Sequence, residues 1–301
     1  MGLTEITISA ASSSARRGIY SCEILSDSVL LAVGRRPAEP SGGNLLDHGG
    51  KLKVSEGQCA LLVSRGKVTD FCAEPGTYSF DAKQAPSPKL GPLENKVRES
   101  WQHLGTSSGV AGAQQLFFVN LRSVPGPDFR RETPFRLVIP ADMLDVDVNL
   151  LCSGHFTYRI SDPVLFFANV TGSVEDRFDN TELNEILCKE VMLQLQVVLA
   201  KLAADGRTFP HRAAFGQAIA EGMEEELSLF WPGLRGIVPD SVTIDNVYAR
   251  DREGDFFARW LATGEKEAET RTDSKEWFCP DCGAASTGNF CPQCGKKKPE
   301  I

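Results

Sequence analysis

No stretch of this sequence is apolar for long enough to cross a bilayer. The most apolar run, Ile186 to Ala204, is interrupted by Lys189, Glu190 and Lys201, whereas a spanning helix needs about 20 nearly uninterrupted apolar residues. The first residues, Met1 to Ser14, have no basic segment leading into an apolar one, so they do not read as a secretory signal. Gly2 is present, but Ile6 stands where N-myristoylation wants Ser or Thr. Positive charge is in deficit: 32 Lys and Arg against 40 Asp and Glu leave −8. That balance argues against a protein working mainly by neutralising phosphates. Cysteine, at 9 in 301 residues, is too sparse for a disulfide-built secreted scaffold. Histidine is scarce as well, with only His48, His103, His155 and His211. There is no G-x-S-x-G, no H-E-x-x-H and no P-loop lysine.

What is present is an ordinary globular composition, 42% hydrophobic and 24% charged, so disorder over most of the chain is excluded. The length suggests two domains or one large domain with appendages. The scattered single cysteines, Cys22, Cys59, Cys72, Cys152 and Cys188, suit a reducing cytosol. In such a compartment the sequon at Asn169-Val170-Thr171 carries no glycan.

Residues 1–20, rich in Ser and Ala, read as a poorly ordered tail. Val29 to Val33 is a first apolar run, and the Pro and Gly cluster of residues 36–50 is a loop. Gln58 to Phe71 reads as a β-hairpin turning at Arg65-Gly66, and Pro75-Gly76 turns again before Tyr78-Ser79-Phe80. Residues 84–98 read as a loop. Leu116 to Val119 is a buried-strand candidate, and Phe135 to Ile139 a further apolar run. From Leu144 to Cys152 apolar and polar residues alternate, with Val146, Val148, Leu150 and Cys152 on one face. The strand continues to Ile160, with Gly154 as a bulge. Ser161-Asp162-Pro163 then opens a short helix. Leu183, Leu187, Val191, Leu195, Val198 and Leu202 predict one long helix, capped at Asn180 or Thr181 and ended by Gly206. Phe215, Ile219, Met223, Leu227 and Phe230 predict another, ended by Pro232-Gly233. A last strand follows over 236–247. Residues 262–276 read as a flexible charged linker.

The chemistry-bearing motif lies at the end. Cys279-Pro280-Asp281-Cys282-Gly283 is followed by Cys291-Pro292-Gln293-Cys294-Gly295, the pattern C-P-x-C-G twice. Thiolates at i and i+3 around a tight turn place two sulfurs on one ion, and two such knuckles supply the tetrahedral set that zinc prefers. Glycine after the second cysteine lets the backbone bend toward sulfur. Trp277, Phe278 and Phe290 are available to cover the site. Four protein ligands, Cys279, Cys282, Cys291 and Cys294, leave no open position, so one Zn²⁺ here is structural rather than catalytic. Lys296-Lys297-Lys298 beside it is a weak nucleic-acid footprint and more simply a solvated end. Asp142, Asp145 and Asp147 read as the wet face of a strand rather than a metal site. No catalytic or cofactor-binding residue is assigned, and the isolated cysteines read as small core hydrophobes with raised pKa values.

The motifs Val54 to Val63, Gly66-Lys67-Val68 and Glu74-Pro75-Gly76-Thr77-Tyr78, in that order, resemble the start of an SPFH (band 7, stomatin/prohibitin-like) domain. Phe117 to Asn120, Thr133-Pro134, Asp142 and Gly154 to Phe166 are similar to a bacterial branch that carries a C-terminal zinc ribbon and is labelled virion core protein-like. The resemblance covers residues 45–250 plus the ribbon. It implies an α+β fold, an SPFH-type domain with a curved antiparallel sheet and packed helices, followed by a small zinc ribbon. The expected division is 1–44 tail and leading segment, 45–260 SPFH-like domain, 261–276 charged linker and 277–301 zinc ribbon. The implied function is a non-enzymatic scaffold that self-assembles and recruits protein partners, membrane-associated or membrane-remodelling, in membrane-stress (phage-shock-like) complexes. Stomatin-like members carry a membrane hairpin and a long coiled coil, which this chain does not display, so it is expected in the cytoplasm and at the membrane through partners. The alternatives are a nucleic-acid-binding zinc-ribbon protein and a hydrolase built around His155.

Overall fold

The computed structural model describes residues 2–6, 18–22, 25–36, 43–94, 96–104, 114–139, 144–249, 251–273, 277–282, 285–286, 290 and 292–297. In chain order the strands are β1 (Gly2–Glu5), β2 (Ile19–Tyr20), β3 (Val29–Val33), β4 (Leu45–Leu46), β5 (Lys51–Val54), β6 (Gln58–Ser64), β7 (Lys67–Cys72), β8 (Gly76–Asp81), β9 (Gln114–Asn120), β10 (Val124–Pro125), β11 (Phe129–Ile139), β12 (Leu144–Ile160), β13 (Arg177–Asp179), β14 (Ile237–Ala249), β15 (Trp277–Phe278) and β16 (Ala285–Ser286). The helices are α1 (Lys96–Leu104), α2 (Pro163–Phe166, continued by a π turn over Phe167–Thr171), α3 (Thr181–Ala204), α4 (Arg212–Arg235) and α5 (Asp251–Asp273). The fold is α+β. The chain divides into two compact units: residues 1–129, 155–194 and 221–243 form one, and residues 130–154, 195–220 and 244–301 the other.

In the first unit two sheets face each other. One has the order β1-β8-β5-β2, the other β13-β3-β9-β6-β7 with β4 added on β9. The pairings given by register are antiparallel except β2 on β5, where Ile19 lies beside Lys51. The alternation of side chains decides the packing. Ala60, Leu62, Leu116, Phe118 and Cys72 point into a core shared with Leu3, Leu52, Val54, Tyr78 and Phe80 of the other sheet. Residues of opposite parity meet helices: Phe117 packs on Phe167 with ring centroids 5.4 Å apart, and Phe71 on Trp101 at 6.4 Å. A strand buried on both faces reads as an unbroken apolar run, which is why β6 does.

The hairpin between β6 and β7 turns at Arg65 (φ 52°) and Gly66 (φ 76°), both left-handed. Two such residues make the turn whose twist matches the flanking strands. At the end of β12, Asp162 accepts from the N–H of Val164 (3.1 Å) and Leu165 (3.0 Å), and Pro163 takes the first helical position. This satisfies donors that the helix itself cannot pair. The expected apolar stripes of α3 and α4 are buried from Leu183 to Leu202 and from Phe215 to Leu227, while Phe230, expected on the α4 stripe, is only half-buried. Trp231 of α4 donates to Glu190 Oε2 of α3 at 2.9 Å, and Arg235 clamps the same carboxylate at 3.1 and 2.8 Å.

In the second unit an aromatic cluster forms the core. Phe215 lies 5.3 Å from Phe135, 5.1 Å from Phe209, 5.9 Å from Phe257 and 5.1 Å from Trp260. On β12 the expected face is buried at Val148, Leu150 and Cys152, but Val146 is only half-buried and Leu151, of the opposite parity, is buried as well. Pro134 sits exposed on β11, an outer strand of its sheet, where a missing N–H is tolerated.

Five expectations need correction. The first residues are not a tail throughout: β1 pairs with β8, and Leu3 is buried. The 84–98 loop ends early, because α1 starts at Lys96. The 36–50 loop is interrupted by β4, where Leu45 and Leu46 pair with Gln115 and Gln114 of β9. Pro232 does not end α4. The helix runs to Arg235 and stops at Gly236 (φ 68°), whose N–H bonds the Pro232 carbonyl at 3.0 Å. The charged segment from 262 is helical to Asp273. It is the continuation of a helix whose first half anchors Phe257, Trp260 and Leu261 in the aromatic core.

Candidate metal centre

Near the end of the chain β15 pairs with β16 in a two-stranded sheet, Trp277 opposite Ser286 and Phe278 opposite Ala285. Phe290 and Lys297 form an isolated antiparallel bridge. Turns over 280–282 and 292–294 bring the knuckles together. Cys279 Sγ lies 3.5 Å from Cys294 Sγ, and Cys282 Sγ lies 3.5 Å from the same sulfur. All three sulfurs fall within 4.8 Å of one another. Cys291 lies outside the described residues. Gly295 adopts φ 74°, the bend foreseen for the residue after the second cysteine.

These distances suit one tetrahedral ion. Zinc–sulfur bonds of about 2.3 Å imply sulfur–sulfur edges of about 3.8 Å, so a metal at the centre needs only a slight opening of the cluster. Cys279 is buried and the other two are exposed. Burial acts to raise the Cys279 thiol. The N–H groups of Asp281 and Cys282, with the sulfurs of Cys294 and Cys282, outweigh it and hold the thiol below its ordinary pKa. A depressed thiol pKa favours the thiolate, the form that ligates metals.

Two expectations around the site change. Phe290 is 61% exposed, so it does not cover the sulfurs. Lys296 Nζ sits 2.6 Å from both carboxylate oxygens of Asp281. That ion pair lies within the module and takes one charge out of the three-lysine patch. Lys298 lies outside the described residues.

Elsewhere the suspected residues do not converge. His155 is on an exposed position of β12. Asp142 lies outside the described residues, and Asp145 is held by the Arg136 guanidinium, with Nε 2.7 Å from Oδ1. That bond lowers the Asp145 pKa. Burial pushes Cys152 up to about 12 and Cys72 up to about 11, and raises Cys59 well above the usual value. Such thiols are inert.

Two polar arrangements had no local signal in the sequence. One is the Glu190–Trp231–Arg235 clamp, whose members lie 41 and 45 residues apart. The other is Asp70 on β7, fully buried. Its Oδ1 accepts from Phe71 N–H at 2.9 Å, while Oδ2 has no hydrogen-bond partner among the described residues. Burial pushes its pKa up to about 7, with the Phe71 N–H acting in the opposite sense.

Compared with known proteins, residues 40–247 match the model of the SPFH domain-Band 7 family. No curated protein matches the chain at a significant level. No helix among the described residues is long and apolar enough to cross a membrane.

Proposed function

The chain belongs to the SPFH domain-Band 7 family, a membrane-associated family of scaffold type, and from that premise we propose that it is a non-enzymatic adaptor with a structural zinc ribbon for protein docking. Zn²⁺ would be held by Cys279, Cys282, Cys291 and Cys294. The zinc stiffens a module too small to fold on a hydrophobic core of its own. The chain self-assembles, works in the cytoplasm, and reaches the membrane through membrane-associated or membrane-remodelling partners of a phage-shock-like stress system. Its division is 1–44, 45–260, 261–276 and 277–301, with the third segment helical as far as Asp273.

The observation that carries this reading is the convergence of Cys279, Cys282 and Cys294 within 4.8 Å. A four-thiolate site offers a substrate no coordination position. The Lys296–Asp281 pair weighs against nucleic acid as the ribbon's partner, and the exposed His155 against a hydrolase. The test is affinity capture from detergent-solubilised native membranes, using the full chain and a Cys279→Ser/Cys294→Ser variant. The full chain is expected to carry one zinc and to retain membrane proteins that the variant loses. Equal capture by both would remove the docking role, and salt-sensitive retention of DNA or RNA by the full chain would favour the nucleic-acid reading.

A further inference from the structure

Helix α3 carries two apolar faces, and the fold buries only one. Leu183, Leu187, Val191, Leu195, Val198 and Leu202 are in the core. Ile186 (45% exposed), Leu193 (53%) and Val197 (40%) are not. Their spacing of i, i+7 and i+11 puts them on one stripe of a helix with 3.6 residues per turn. Singly exposed apolar residues are normal, but an aligned set marks a contact surface. Beside the first of them lies an open groove lined by Ile186, Leu183, Leu234, Phe178, Glu182 and Arg235. Leu234 is itself 49% exposed, so it adds an apolar contact to the stripe there, flanked by the charged Glu182 and Arg235.

The charges on α3 say what covers this stripe. Its first turn carries Glu182 and its last turn Lys201, and both are exposed. Laid antiparallel on a second copy of itself about a two-fold axis between Val191 and Met192, the helix pairs each residue with the one whose number completes the same sum. Ile186 then faces the partner's Val197, and Glu182 faces the partner's Lys201. Leu193 meets the aliphatic stem of the partner's Glu190. Lys189 meets the partner's Gln194, so no like charges oppose. A symmetric interface must be self-complementary in this way. A cationic or an anionic partner surface would meet one mismatched end of the helix.

We infer that the second apolar face of α3 is a self-association surface, on which two copies of this chain pair α3 against α3 in antiparallel register, with Glu182 opposite Lys201 and Ile186 opposite Val197. The inference rests on the self-assembly reading and supplies its surface. A helix of this length spans about 36 Å, and its face alone is smaller than the roughly 800 Å² per partner of a typical stable pair. The association is therefore weak in dilute solution and strengthens where copies are concentrated on an array.

Sedimentation velocity of the full chain, from micromolar to several hundred micromolar at low salt, tests it. Wild-type chain is expected to shift from monomer toward dimer across that range. Leu193→Asp replaces an exposed side chain, so the fold survives, as circular dichroism will verify. It is expected to weaken association about tenfold or more. Glu182→Lys and Lys201→Glu are each expected to weaken it about threefold or more, exposed pairs being individually modest. The combined Glu182→Lys/Lys201→Glu chain is expected to recover wild-type association, because exchanging the charges restores the symmetric match. Wild-type chain that stays monomeric throughout overturns the self-assembly reading together with this surface. Wild-type chain that associates while Leu193→Asp and the charge variants associate equally well overturns this surface alone.

Discussion

Asp70 gives the sharpest handle on the two-sheet core. In the unfolded chain its carboxyl titrates at an ordinary 3.8, and in the folded chain burial raises it to about 7. The folded state thus holds a proton that the unfolded state has released, and stability must fall as pH rises through this window. The difference is about 3 pKa units, so about 4 kcal/mol of stability present below pH 3.8 is gone above pH 7. Between about pH 5 and about pH 8, this one group accounts for a loss of roughly 2.5 kcal/mol. The perturbation is Asp70→Asn, which keeps the size and cannot ionise. Its amide brings donors to a place where Oδ2 finds no partner, so the variant starts about 1–3 kcal/mol less stable at low pH. Urea unfolding of both chains at the two pH values separates the effects. The wild-type chain should lose about 2.5 kcal/mol more than the variant between them. Parallel pH dependences in the two chains would refute the reasoning, whatever their absolute stabilities.

Further expectations concern single contacts. Gly236→Ala places a side chain at φ 68°, with its Cβ 2.3 Å from the Asp162 carbonyl oxygen. Neither backbone can yield, and denaturant unfolding should show a loss of about 2–4 kcal/mol. Glu190→Ala strips the Trp231 N–H and the half-buried Arg235 guanidinium of their acceptor, and should cost about 2–3 kcal/mol by the same measurement. Arg65→Asn puts a residue tolerant of the left-handed region at φ 52° and should raise the melting temperature, by the equivalent of about 0.5–1 kcal/mol.

The elements legible from sequence were those whose signal is local. The β6–β7 hairpin announced itself through Arg65-Gly66 between apolar runs, and β12 through its period of two. The buried stripes of α3 and α4 followed from their spacing, and the metal centre from the doubled knuckle. What escaped was decided by partners distant in the chain. Leu3 reads as part of a Ser- and Ala-rich tail until β8 offers it an edge. Pro232 reads as a stop, but near the end of α4 the helix tolerates it and Gly236 supplies the true one. The charged half of α5 has no stripe of its own; the helix is anchored upstream by Phe257 and Trp260, in a core shared with Phe135 and Phe209. Asp70 resembles any polar residue in a hairpin, and nothing nearby tells that it lies beneath β1. The exposed face of α3 was visible as apolar residues but not as uncovered ones, because exposure belongs to the fold.

The central claim is that this family member works through a zinc-dependent docking module rather than through catalysis. The most direct measurement is the amount of membrane protein retained by the full chain as zinc is withdrawn with a chelator and then restored. Retention should fall in step with zinc content and return when zinc is added back, while the far-ultraviolet circular dichroism of the rest of the chain holds. Retention that is indifferent to zinc would contradict the account.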